Sequence, residues 1–303
     1  MRHAPARARA DAGINPLRNS KPLCFTAGMT PYLGHSAIVF GATSGMGAAT
    51  ALLLAERGAN VTLVGRRADL GEEVAGKCAA TGRTCHFIQA DIARDDQVAA
   101  AVQSAVTAYG RITMAANVAA TDIAKPLVEL TDADFDTLFD TNTRGTWHCL
   151  KHEIKAMLET GGGSIVNVNS IGSHIAIGGN SLYGASKRAI TALTEYAAFE
   201  YGAAGIRVNQ TSPGATRTEM LQGWIDMAAA SGITMPTFEA TAVLRRLSDP
   251  REQATVIAFL LSDEASYITG VDIPVDGGTI LLNRGVPTAT GAAPPTPGDA
   301  HRN

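Results

Sequence analysis

The 303-residue chain has only four cysteines, Cys24, Cys78, Cys85 and Cys149, and none forms a C-x-x-C pair. That scarcity excludes a disulfide framework and predicts reduced thiols in a cytoplasmic enzyme. No stretch approaches the roughly 18 consecutive apolar residues of a membrane span. The N-terminus has no apolar core of the signal-peptide kind. Charged residues make up 17% of the chain and the net charge is −3, so there is no basic excess of the kind a dedicated nucleic-acid binder carries. Neither a nucleic acid nor a membrane is therefore expected as a partner. Apolar residues are plentiful instead, at 46%, enough for a sizeable core and too many for a disordered chain.

Only the two ends depart from this pattern. Residues 1–28 hold Arg2, Arg7, Arg9, Arg18 and Lys21 against Asp11 alone, a local charge of +4 that leaves −7 for the rest. We read residues 1–34 as a flexible extension or an early translation start, with Met29 as the alternative start. An organelle transit peptide is the other option. Residues 284–303 carry Pro287, Pro294, Pro295 and Pro297 and no large apolar residue after Val286, which predicts a disordered tail. Between them, 35–283 shows no internal repeat and no linker, and reads as a single domain.

Within that domain short apolar runs alternate with helical periodicity. Strands are predicted at 37–40, 61–64, 86–89, 112–118, 164–168, 206–211 and 271–275. Helices are predicted at 48–57, 68–80, 95–109, 182–201 and 250–261, with a longer one over 132–157 interrupted near Asn142. Continuous apolar strands, each followed by a helix, imply an α/β fold: a Rossmann-like, doubly wound parallel sheet of about seven strands with helices on both faces. Its ligand belongs beyond the carboxyl ends of the strands.

The first strand runs into Gly41-Ala42-Thr43-Ser44-Gly45-Met46-Gly47 and then a helix. Glycines at such a turn let the backbone approach a pyrophosphate, and the helix N-terminus supplies free N–H groups. The spacing from there to the next strand end suits a dinucleotide site. That strand ends Val64-Gly65-Arg66-Arg67. Where a carboxylate would hold a ribose 2′-hydroxyl, the chain offers Gly65, while Arg66, with Arg67 beside it, can fork onto a 2′-phosphate. NADP(H) is therefore expected over NAD(H). Asp91 and Ile92 end the third strand, where they can hold an adenine amino group and pack on its ring; a helix N-cap is the alternative use of Asp91.

A second constellation follows. Ser170 closes the fifth strand, Tyr183 comes thirteen residues later, and Lys187 four after that. Tyr183 and Lys187 share one helix face. An ammonium there would stabilise the phenolate and bring Tyr183 toward a useful acid/base range, while Ser170 could hold a carbonyl. Ordered in this way downstream of a glycine turn, the chain resembles the short-chain dehydrogenase/reductase family over nearly all of 35–282.

The resemblance implies a cofactor turn at Gly41, Gly45 and Gly47, with Phe40 where the family has Thr. It aligns Asn117-Val118-Ala119-Ala120 with the family's Asn-Asn-Ala-Gly stretch, keeping Asn117 alone of the two asparagines. It implies an active site of Asn142, Ser170, Tyr183 and Lys187. Tyr183 exchanges the proton, Lys187 lowers its pKa and holds the nicotinamide ribose, Ser170 polarises the carbonyl, and Asn142 holds a water linking Lys187 to solvent. Pro213-Gly214-Ala215-Thr216-Arg217-Thr218 is similar to the family segment whose counterparts of Thr216 and Thr218 hold the nicotinamide carboxamide. The closing stretch around Ser266–Gly278 resembles one often found in oligomer interfaces, which implies a homotetramer or homodimer.

Substrate contacts are read more loosely. Residues 219–242 lack strand pattern but hold Met220, Leu221, Trp224, Ile225, Met227, Met235 and Phe238. An apolar, Met-rich cover suits a hydrophobic small-molecule carbonyl or alcohol. His174 and Asn180, between Ser170 and Tyr183, could also reach it. No metal is expected: His148, Cys149 and His152 lie at helical spacing without the intervening Glu of a zinc-binding H-E-x-x-H. The expected activity is oxidoreduction of a carbonyl/alcohol pair. A catalytically idle NAD(P)-binding regulator on the same fold is the alternative, and nothing in it would require the four active-site residues.

Overall fold

The computed structural model describes residues 31–230 and 241–284. The N-terminal extension up to residue 30, the tail from 285, and Met235 and Phe238 lie outside the described residues. Within them runs a seven-stranded parallel sheet in the order β3-β2-β1-β4-β5-β6-β7. The strands are β1 Ser36–Phe40, β2 Asn60–Gly65, β3 Cys85–Gln89, β4 Met114–Asn117, β5 Gly163–Val168, β6 Ile206–Pro213 and β7 Asp272–Val275. Chain order reverses between β1 and β4, which opens a crevice at their carboxyl ends.

The strands are apolar throughout because both faces are covered. In β1, Ala37 and Val39 pack on one side with α1 (Gly45–Glu56) and α8 (Pro250–Leu261). Ile38 and Phe40 pack on the other with α3 (Asp95–Tyr109), α5 (Gly145–Thr160) and α6 (Ser181–Tyr201). Alternation along a strand thus feeds two cores rather than one core and solvent.

Local features refine the expected pattern. The long helix over 132–157 is broken into α4 (Asp132–Leu138), a π-helical turn at Phe139–Arg144, and α5. The stretch read only as an apolar cover begins with a helix, α7 (Glu219–Ala230), and a short α9 (Thr279–Arg284) follows β7; α2 spans Ala68–Ala79. Tyr32, assigned to the extension, is buried. Its hydroxyl donates to the Ala258 carbonyl at 2.8 Å and accepts from Arg57 Nη1 at 3.1 Å, so packing starts before residue 35.

Candidate active site

At the switch between β1 and β4 lies a cleft of about 320 Å³. Its floor is the glycine turn. Gly41 has φ +84°, and a Cβ on it would stand 2.6 Å from the Ala119 backbone nitrogen; a Cβ on Gly47 would fall on the Gly41 carbonyl oxygen. The cradle therefore admits no side chains. Ser44 precedes α1 without capping it, so the first N–H groups of α1 keep no side-chain acceptor at that position. A backbone cradle and an uncapped helix N-terminus fit a pyrophosphate. Thr43, Ser44, Gly45 and Met46 line the same wall, with Gly65, Arg66, Arg67, Asp91 and Ile92 opposite and around it.

The two arginines take different positions. Arg66 is 65% exposed, and its ion pair with Asp91 spans 4.0 Å. Arg67 folds back onto the turn: Nη2 donates to Ser44 Oγ at 2.6 Å and to Thr43 Oγ1 at 3.1 Å, and Nη1 to Glu219 of α7 at 2.7 Å. Thr43 in turn occupies the space above Gly65, where a Cβ would meet its Cγ2 at 2.5 Å. Asp91 does not cap α3, whose N-cap is Arg94; its Oδ1 accepts from the Ala93 backbone N–H at 3.0 Å.

Tyr183 and Lys187 reach the other end of the cleft from α6, one turn apart. The Lys187 ammonium lies 5.7 Å from the centre of the Tyr183 ring and donates to the Val168 carbonyl at 3.0 Å. Ser170, just past β5, hydrogen-bonds Tyr183 and accepts from the Gly172 backbone N–H at 3.1 Å. Burial is the largest influence on both titrating groups. It pushes the Tyr183 phenol above its ordinary value, opposed by the Ser170 hydrogen bond and aided by the charge of Asp122. It brings Lys187 down to about 8. The influence opposing burial at Tyr183 is thus the Ser170 hydrogen bond and not the expected charge of Lys187.

Several expected residues serve other groups. The Asn142 side chain, read as a water holder, is taken up by protein: its Oδ1 accepts from the Thr121 N–H at 2.9 Å, and its Nδ2 donates to the Thr121 carbonyl at 2.9 Å and Ser186 Oγ at 3.0 Å. The π-turn makes room for this, and Asn142 is fully buried. Asn117 turns away from the cleft; its Nδ2 donates to Glu153 at 3.0 Å and Asn167 at 2.9 Å, while Val118, Ala119 and Ala120 line the wall. His174 pairs with Asp272 at 2.7 Å rather than facing a substrate. Thr218 and Met220 line the cleft. Pro213 ends β6, Gly214 packs against Asp276, and buried Thr216 bonds Ser248 at 3.0 Å. His148 Nδ1 bonds the Ile92 carbonyl and His152 Nε2 bonds Asp95, both at 2.9 Å.

The sequence reading passed over Asp122, Glu153 and Glu219. Asp122 receives hydrogen bonds from Nδ2 of Asn180, a residue expected near a substrate. No spacing motif marks it.

Comparison with known proteins places this geometry. The family model described as enoyl-(acyl carrier protein) reductase matches residues 41–279. The A-factor type gamma-butyrolactone 1'-reductase (1S-forming) of Streptomyces virginiae is 38% identical over 248 residues, 81% of this chain and 95% of that protein. The 2,5-dichloro-2,5-cyclohexadiene-1,4-diol dehydrogenase of Sphingobium indicum is 39% identical over 252 residues, 82% of this chain and 98% of that protein. Among solved structures, NAD+-bound xylitol dehydrogenase superposes with a TM-score of 0.78 at 31% identity, covering 82% of this chain and 99% of that one.

Proposed function

The chain belongs to the short-chain dehydrogenase/reductase family, and from that premise we propose that it is an NADP(H)-preferring oxidoreductase interconverting a carbonyl and a secondary alcohol on a largely apolar small molecule. The observation that carries this reading is the meeting of Tyr183 and Lys187, with Ser170 beside Tyr183, at one end of a cleft whose other end is a glycine cradle.

The nicotinamide cofactor, when bound, supplies or accepts the hydride. The chain's own residues do the rest. The turn from Gly41 to Gly47 and the start of α1 would hold the pyrophosphate, with Asp91 and Ile92 at the adenine end. Ser170 holds the carbonyl oxygen beside Tyr183. In reduction Tyr183 donates its phenolic proton to that oxygen; in oxidation its phenolate removes a proton from the alcohol. Burial keeps the phenol protonated, which suits it to donation. Lys187 supplies positive charge below the ring. Asn142 acts on position, fixing the segment at Thr121.

Two features support NADP(H). Thr43 fills the space a carboxylate at position 65 would need, and Arg66 extends from the end of β2 with only a long ion pair to Asp91. NAD(H) is the second reading, supported by the engagement of Arg67 with Ser44 and Glu219 and by the NAD+ in the solved relative. A homodimer or homotetramer formed by α5 and α6 accords with the exposed Trp147, Tyr196 and Phe199.

The test is oxidation of NADPH and of NADH against a panel of ketones, quinones and keto-esters, with the reverse reaction on the matching alcohols. Turnover preferring NADPH supports the reading. Tight cofactor binding without turnover in either direction would favour an idle binder instead.

A further inference from the structure

Close to Tyr183 stands a carboxylate to which the proposed reaction gives no part. Asp122 follows β4 in a segment held rigidly, since both backbone groups of Thr121 are bonded by Asn142 at 2.9 Å. Its charge acts on both Tyr183 and Lys187. One side chain donates to it: Asn180 Nδ2, at 3.3 and 3.2 Å from its two oxygens.

Asn180 is the N-cap of α6, three residues ahead of Tyr183, and is 4% exposed. Chemistry fixes which way its amide faces, because a carboxylate accepts and only Nδ2 can donate to it. Its Oδ1 is therefore turned away, and it is buried without a hydrogen-bond partner among the described residues. Buried amide oxygens are rarely left so. An ionised carboxylate offers about four acceptor positions, and the Asn180 amide occupies two of these at most. Acceptors outnumber donors here, so the missing group is an O–H or N–H.

We propose that Asp122 and Asn180 form a polar subsite that accepts a hydrogen bond from a second hydroxyl of the substrate, which makes the substrate a diol or hydroxyketone with an apolar body. This rests on the oxidoreductase reading above. The subsite determines specificity and leaves the proton transfer to Tyr183. Its negative charge turns away substrates bearing a carboxylate in that place.

The test uses the full chain with its preferred nicotinamide cofactor. kcat/KM is measured for cyclohexanol, for the cis and trans 1,2-, 1,3- and 1,4-cyclohexanediols, and for trans-4-aminocyclohexanol; the rigid ring fixes where the second group stands. The wild type should favour at least one diol over cyclohexanol by about tenfold or more, since a site built to bond a hydroxyl discriminates against analogues lacking it. Asp122→Asn should bring that ratio near one, whereas Trp224→Phe, which keeps the carboxylate, should preserve it. A wild-type ratio near one overturns the proposal whether or not the variants fold. So does an Asp122→Asn enzyme that keeps the ratio, or equal loss in Trp224→Phe, which would make Asp122 a latch for α7. Preference for the amine over every diol would assign the subsite to an ammonium instead. Failure of the wild type on all alcohols and ketones, with cofactor bound, would overturn the parent reading as well and is distinguishable from the other outcomes.

Discussion

Burial moves Tyr183 and Lys187 in opposite senses, keeping the phenol protonated and bringing the ammonium down to about 8. Alcohol oxidation needs the phenolate and should accelerate as pH rises; carbonyl reduction needs the phenol and should slow. Tyr183→Phe keeps the ring that lines the cleft and removes the exchangeable proton. Its kcat should fall about 100-fold or more, with the cofactor dissociation constant nearly unchanged in a fluorescence titration. Normal turnover would assign the proton to another group. At the opposite end of the cleft, Arg66→Ala should raise KM for NADPH about tenfold, the worth of a charged hydrogen bond, and barely alter KM for NADH. Equal effects on both cofactors would remove the phosphate role. Tyr183 and Lys187 were legible in sequence because one helical turn relates them. His174 was not, because its partner Asp272 is 98 positions away. The same holds for Asn117, whose partner Glu153 lies 36 positions on and faces the core, not the cleft.

The elements follow the residues closely where one physical rule governs. All seven strands fall at the apolar runs, because a sheet covered on both faces needs them and few other structures do. Breaks in helices are harder to read. The interruption at Asn142 was expected, but its form, a π-turn that carries Asn142 to Thr121, depends on a segment across the site. Helix α7 was missed as a helix because its apolar residues were read as a cover; Met220 lines the cleft, and Glu219 at its start answers to Arg67 152 positions away. The glycine turn is an element that can be tested directly. In Gly47→Ala the new methyl would meet the Gly41 carbonyl, a backbone group with no flexible end to yield. The variant should lose about 2 kcal/mol in chemical denaturation and most of its cofactor affinity. Wild-type affinity would show that the turn opens without cost and is not a tight cradle.

Across the whole molecule, one buried polar chain ties four strands together. Glu153 accepts from Asn117, which also donates to Asn167; Asn167 donates to Thr194, Thr194 to Gln210, and Gln210 to Asp272, the partner of His174. The anchor at the α5 end is the weak point. Glu153 is fully buried, its Oε1 has no hydrogen-bond partner among the described residues, and burial raises its pKa from 4.5 to about 8, opposed by the Asn117 hydrogen bond. Between those values the folded protein holds a proton that the unfolded chain releases. Stability from this group is therefore present at low pH and lost as pH rises toward 8. Lys187 works the other way, since its folded pKa is lowered and its burial cost eases above 8. Glu153→Gln isolates the first effect, because the amide keeps the shape and cannot ionise. Urea denaturation of wild type and variant at pH 5, 7 and 9 should show the variant gaining on the wild type with rising pH, by an amount on the order of a few kcal/mol at pH 9. A gap independent of pH would mean that Glu153 ionises in the fold without penalty, and that the polar chain ends on a charge the core tolerates.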